Sequence, residues 1–226
     1  MMEMMNLQKM IAEKRITRRQ WTGTDAQGRS TACLLAAMHP PCGTKKSASV
    51  CPASLMPQWM AELTLWIDDS PSDGRWWSIV ERYGALAQRF SELDEARWDR
   101  AFYRIGAAIL RIAMPETDDE WGCREAVAGM IACYESAVET GEIDAAARAK
   151  WAARAARAVE AVETKWAEWA EWAARAARAA GVADRAECAA RAAGATSAEW
   201  AERADRICDA VLDAIEQELT AEKGWR

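Results

Sequence analysis

Histidine is nearly missing from this chain of 226 residues, which offers His39 as its one imidazole. Any mechanism that needs a neutral-pH base or a nitrogen ligand for a metal has a single place to find it. No Cys-x2-Cys pair and no other catalytic or cofactor signature occurs, so neither an enzyme nor a bound cofactor is expected. The sequence also lacks a run of about 18 uncharged apolar residues, which excludes a membrane span and points to a soluble protein. The first residues, Met1 to Asn6, have no basic n-region or signal-type apolar core. Together with an odd count of seven cysteines, this suggests reduced thiols in a cytoplasm.

A surplus of positive charge is absent too. The net charge is −6, and the arginine-rich stretch Ala145 to Ala204 holds ten basic against eight acidic residues. A surface that tracks phosphates needs uncompensated cations, so nucleic acid is an unlikely partner. Charge is instead segregated along the chain. Met1 to Val50 carries eight basic and three acidic residues, whereas Cys51 to Asp144 carries eight basic and eighteen acidic. That acidic middle can repel nucleic acid, attract a basic partner, or simply be a solvated face.

What the chain has in abundance is alanine, 28 of the 60 residues from Ala145 to Ala204, with Trp-Ala-Ala-Arg-Ala-Ala-Arg-Ala occurring at Trp151 to Ala158 and again at Trp172 to Ala179. Alanine has the lowest helix cost, and arginine, glutamate and lysine follow closely. At 100° per residue Trp151, Val159, Val162, Trp166, Trp169 and Trp172 share an arc of about 140°, with most charges opposite. These indoles therefore read as core, packed between helices that alanine allows to approach closely.

The predicted fold is all-α: a multi-helix bundle with one long Ala-rich amphipathic helix and a small irregular or hairpin N-terminal segment. A helix or tail over 1–15 precedes an irregular segment, 16–53, in which turn residues flank an extended stretch around Trp21. A short helix capped by Ser30 or Thr31, with Cys33 inside it, runs through Met38, where His39-Pro40-Pro41 stops it, and Cys42 to Cys51 reads as a mobile loop. A single bundle fills 54–226, with helices over Ser54 to Ile67, Gly74 to Phe90, Leu93 to Ala113 and Thr117 to Thr140. The repeat helix spans 144–180; helices over Asp184 to Ala193 and from Thr196 onward follow. In the third helix Trp98, Phe102, Ile105, Ile109 and Ile112 form the apolar face, and Arg97, Arg100, Arg104 and Arg111 lie away from it.

Three groups of residues carry candidate chemistry. Cys33, His39, Cys42 and Cys51 offer three thiols and an imidazole, a donor set that zinc accepts, although the spacing is unlike that of paired knuckles. Asp68 and Asp69, with Asp118, Asp119 and Glu120, are the acidic residues expected to touch a cationic partner; helix-end acids are equally expected as caps. Arg154, Lys165 and Trp172 border the apolar arc and form a candidate site for a nucleotide, arginine on phosphate and indole on base.

The segments Thr31-Ala-Cys-Leu-Leu-Ala-Ala37, Cys51-Pro-Ala-Ser-Leu-Met-Pro-Gln-Trp59 and Leu65-Trp-Ile-Asp-Asp69, followed by the Ala/Arg/Trp repeat, resemble an uncharacterised alanine- and tryptophan-rich protein family of phages and prophages. The C-terminal half is similar to helical immunity-type proteins. The resemblance implies a mobile-element protein that binds and inhibits a host defence protein or a toxin. A sponge for a nucleotide immune signal and a structural phage component are the alternatives, and homo-oligomerisation stays open.

Overall fold

The computed structural model describes residues 2–113, 123–160 and 197–221, and the fold they form is all-α apart from one two-stranded hairpin. Among the described residues no helix is long and apolar enough to cross a membrane. The chain divides into two compact units, Met1–Leu93 and Asp94–Arg226. This places the division elsewhere than a single bundle over 54–226 would, and burial gives the reason: the apolar faces of the two helices after residue 54 are covered by N-terminal residues, which makes 1–93 a unit with a core of its own.

In the first unit α1 (Met2–Ala12), a hairpin of β1 (Thr22–Thr24) and β2 (Ser30–Ala32), α2 (Leu34–Met38), α3 (Pro40–Lys45), α4 (Gln58–Asp69) and α5 (Asp73–Ala87) follow in order. The hairpin pairs Thr22 with Ala32 and Thr24 with Ser30. Its turn is organised by Asp25, whose carboxylate accepts from the N–H of Gln27 and Arg29, and by Gly28 at φ +76°, where a side chain would be strained. All five residues of α2 are buried, so this short helix is the centre of the unit, with α1, α3 and α4 packed on it.

Cys33 stands before α2 rather than inside a helix, and its Sγ caps the first turn by accepting from the Ala36 N–H at 3.4 Å. The segment Cys42 to Cys51 is likewise not a loop: α3 and a 3₁₀ turn at Ala48–Val50 occupy most of it, and Cys42, Ala48 and Cys51 are buried. Pro40 and Pro41 open α3, where the amide protons they lack have no intrahelical acceptor in any case. Pro57 similarly precedes α4 as its N-cap. Between α4 and α5 the Thr64 and Tyr83 hydroxyls meet at 2.7 Å in full burial, so neither is left unsatisfied.

In the second unit α6 (Glu95–Ala113) packs against α7 (Cys123–Thr140) and α9 (Ser197–Thr220), while α8 (Ala145–Glu160) lies on α7. Gly141, at φ +81°, ends α7, and the Asp144 carboxylate caps α8 through the Ala147 N–H at 2.9 Å, both where the sequence places them. The rest of the 144–180 repeat helix and the helix over 184–193 lie outside the described residues. The core joins Trp98, Ile105 and Ile109 of α6, Val127, Met130 and Tyr134 of α7, and Ile207, Val211 and Ile215 of α9. Trp151 is half-buried, its ring so close over Gly129 that a Cβ there would sit 2.2 Å from Cδ2.

Candidate functional site

Asp68 ends up inside the protein rather than on a partner-facing surface. It lies in the last turn of α4 with 1% of its surface exposed, so it cannot touch another molecule, which corrects its assignment as a contact residue. The reason is the arrangement of α4 against the start of α2: Oδ2 accepts from the Leu34 N–H at 3.3 Å, while Oδ1 has no hydrogen-bond partner. Burial, followed by the neighbouring Asp69 charge, pushes this carboxyl well above the usual carboxylate range. The Trp76 indole opposes that shift, although its buried N–H does not reach hydrogen-bond geometry.

Asp69 is exposed, yet one of its oxygens is taken by the Arg19 backbone N–H at 2.6 Å. Arg18 completes a local clasp. Its guanidinium donates to the Asp69 and Pro71 carbonyls and to the Asp73 carboxylate, and lies 5.5 Å from the Trp76 ring centroid. These acids tie the N-terminal segment to the α4–α5 turn. Asp118, Asp119 and Glu120 lie outside the described residues.

The candidate zinc ligands do not converge: among the described residues no three His, Cys, Asp or Glu side chains are placed to hold a metal ion. Cys33 is spent on capping α2, and burial pushes its thiol up to about 12, the opposite of what a thiolate ligand or nucleophile requires. Cys42 is buried within α3 and Cys51 at the end of the 3₁₀ turn, and His39 sits between α2 and α3 as a half-buried backbone cap. Of the nucleotide candidates, Lys165 and Trp172 lie outside the described residues. Arg154 is paired with Glu125 across α8 and α7, its Cζ 5.7 Å from the Trp151 centroid, so its charge is already engaged.

The second unit has a feature that sequence reasoning missed. Glu218 of α9 is 1% exposed and receives the Arg100 Nε at 3.0 Å and the Arg104 Nε at 2.9 Å, while Arg97 donates to the Ala221 carbonyl at 3.0 Å. Three arginines that lie away from the apolar face of α6 thus serve the C-terminal end of α9. The signal was present. At 100° per residue Glu218 falls inside the arc of about 140° that holds Ile207, Cys208, Val211, Leu212, Ile215 and Leu219, so an acid sits among core positions and demands a cationic partner.

Beside this ladder a cleft of about 580 Å³ opens between α6, α7 and α9. Its floor is small: Ala107 and Ala108 from α6, Ala210 and Ala214 from α9. Alanines leave the space that larger residues would fill. The walls are charged, with Glu135 and Glu139 on α7, Asp213 on α9, and Arg104 and Arg111 on α6. Arg111 pairs with Glu135, and Arg104 reaches down to Glu218, so both cations of the lining are turned onto carboxylates. Glu139 and Asp213 face solvent from opposite walls. No protein-family model matches the chain, and no curated protein or solved structure is significantly similar to it. The geometry of the two units is therefore the ground for a functional reading.

Proposed function

We propose that the protein acts by binding rather than catalysis, as a mobile-element protein of phage type that inhibits a host defence protein or a toxin through an acidic helical surface. The observation that carries this reading is the outward display of acid along α7 and its exit: Glu125, Glu135, Glu139, Glu142 and Asp144 are all exposed. Carboxylates held on a rigid helix raise the encounter rate of a cationic partner and fix its orientation, which is what an inhibitor needs. The contact surface is thereby moved from Asp68, which is buried, to the second unit, where five exposed acids lie together on α7 and its exit.

The test is affinity capture with the full-length protein from a bacterial lysate at low and at high salt, followed by an activity assay of whatever is retained. The expected result is a basic protein held at low salt and released at high salt, whose toxic or defensive activity falls when the protein is added in stoichiometric amount. Capture that ignores salt, or a retained protein whose activity is unchanged, overturns the proposal.

A further inference from the structure

We infer that Arg18, Arg19 and Gln20 form a flap latched over Asp68, shut while that carboxyl carries its proton and released when the proton is lost. The flap is short and fastened at both ends. On one side Thr17 donates its N–H to the Ala32 carbonyl at 3.0 Å; on the other the Trp21 carbonyl accepts from the Cys33 N–H at 3.0 Å. Between these points the clasp holds it down, with Arg18 on the Asp69 and Pro71 carbonyls and the Asp73 carboxylate, and the Arg19 N–H on the Asp69 carboxylate. Arg19 sits at φ +58°, a left-handed conformation that costs free energy in a residue with a side chain. The shut flap therefore carries strain, and one of its anchors, Asp73, is fully exposed.

Beneath the flap lies a carboxyl with too few partners. Asp68 is 1% exposed, and among the described residues its Oδ1 has no hydrogen-bond partner; the buried Trp76 indole N–H and Arg18 Nε have none either. A carboxylate here would keep one long hydrogen bond, from the Leu34 N–H at 3.3 Å, and no water. Charge in such a place is costly, and a proton removes it. The groups that face Asp68 do not make up the deficit. Asp69, beside it in α4, adds like charge, and Arg18 is the cation among them, with both terminal nitrogens already spent on the clasp. From the start of α2 and from α5 come the Cys33 thiol and the Tyr83 phenol; burial pushes the first up to about 12 and the second up as well, so both stay neutral. Water is what can relieve an ionised Asp68. The short route to it runs past Arg18, because Asp69, one residue on, is already exposed. Lifting the flap breaks the four hydrogen bonds of the clasp and leaves α2 packed on α4. The shut form holds the Asp68 proton more tightly than the open form, so low pH keeps the flap down and rising pH frees it.

The test follows hydrogen exchange of single backbone amides by NMR in the full-length protein from pH 4 upward. Each rate is divided by that of the same amide in Asp68→Asn, which cannot ionise. For the Arg19 amide, bonded to Asp69 in the shut flap, the ratio should climb by about tenfold or more as pH passes the folded value, a factor of ten for each unit by which closure raises the carboxyl. For the Thr17 amide, bonded at the hinge, the ratio should stay level. A level ratio for Arg19 overturns the inference, and so does a Thr17 ratio that climbs in step, since the whole unit would then be opening. Arg18→Gln keeps the question answerable should Asp68→Asn fail to fold: with the latch gone and Asp68 in place, the Arg19 amide should exchange at least about tenfold faster than in the parent already at pH 4. Protection equal to the parent's in that variant equally overturns the inference.

Discussion

Replacing Glu218 with glutamine tests whether the arginine ladder holds the second unit together. The side chain is 1% exposed and accepts from two guanidinium groups at 2.9 and 3.0 Å; the arginine side chains are 25% and 38% exposed. Breaking a fully buried ion pair costs about 3–5 kcal/mol, because a charge is stranded in low dielectric. Here the stranded charges reach water, which recovers part of that cost, so Glu218→Gln should lower stability by about 2 kcal/mol. Glutamine retains the shape and can accept one arginine hydrogen bond, which isolates the charge from packing; Glu218→Ala, which loses both, should cost more. Urea unfolding gives the magnitude, and hydrogen exchange gives the place. Exchange should accelerate in α6 and α9, the helices that the ladder joins. A Glu218→Gln protein within about 0.5 kcal/mol of the parent, the ordinary scatter of surface substitutions, would refute the reasoning.

The same logic of local contact yields two further expectations. Gly129→Ala places a methyl 2.2 Å from the Trp151 ring, a rigid indole that has to be displaced, and should cost about 1–3 kcal/mol; Gly84→Ala meets the Cδ1 tip of Ile11 at 2.3 Å, which can rotate away, and should cost clearly less in parallel thermal melts. Equal losses would show that rigidity of the neighbour is not what matters. Asp68 governs a pH effect. Its folded carboxyl is held above the unfolded value of 3.8, so the folded state binds the extra proton, and stability should fall as pH rises from about 4 through the folded value. Asp68→Asn removes that titration and should flatten the decline in denaturation curves taken across the window; parallel curves for the two proteins would count against it.

Much of the fold was legible because helices announce themselves locally. Periodicity marks the apolar face of α6, the predicted end at Thr140 and start at 144 match the boundary between α7 and α8, and Met38 is the end of α2. The misreadings arose where tertiary context overrides local preference. Pro40 and Pro41 were read as a stop to helix, and they are also a start, since a proline at the first turn loses nothing. The boundary at Leu93–Asp94 was not visible because α4 and α5 are amphipathic like the helices after them, and periodicity says which face is buried without saying against what.

Charge shows the same division more sharply, and it bears on where function resides. Asp68 and Asp69 were chosen because they are adjacent acids in an acidic stretch, but composition counts charges without knowing which are consumed. Arg18 and Arg19, far earlier in the chain, bind the turn that carries them, and the basic N-terminal residues that segregate so clearly in sequence are partly spent on this clasp. Of the acids of α7, Glu135 is met by Arg111 and Glu125 by Arg154, yet both stay more than half exposed, and Glu139 is exposed as well. A docking partner feels the difference between these two sets, because it needs carboxylates that it can reach: Asp68 is buried, whereas Glu139 is exposed on α7. Neutralising Glu139 should therefore reduce association more than neutralising Asp69, one of whose oxygens is already taken by the Arg19 N–H, even though each substitution changes the formal charge by the same amount.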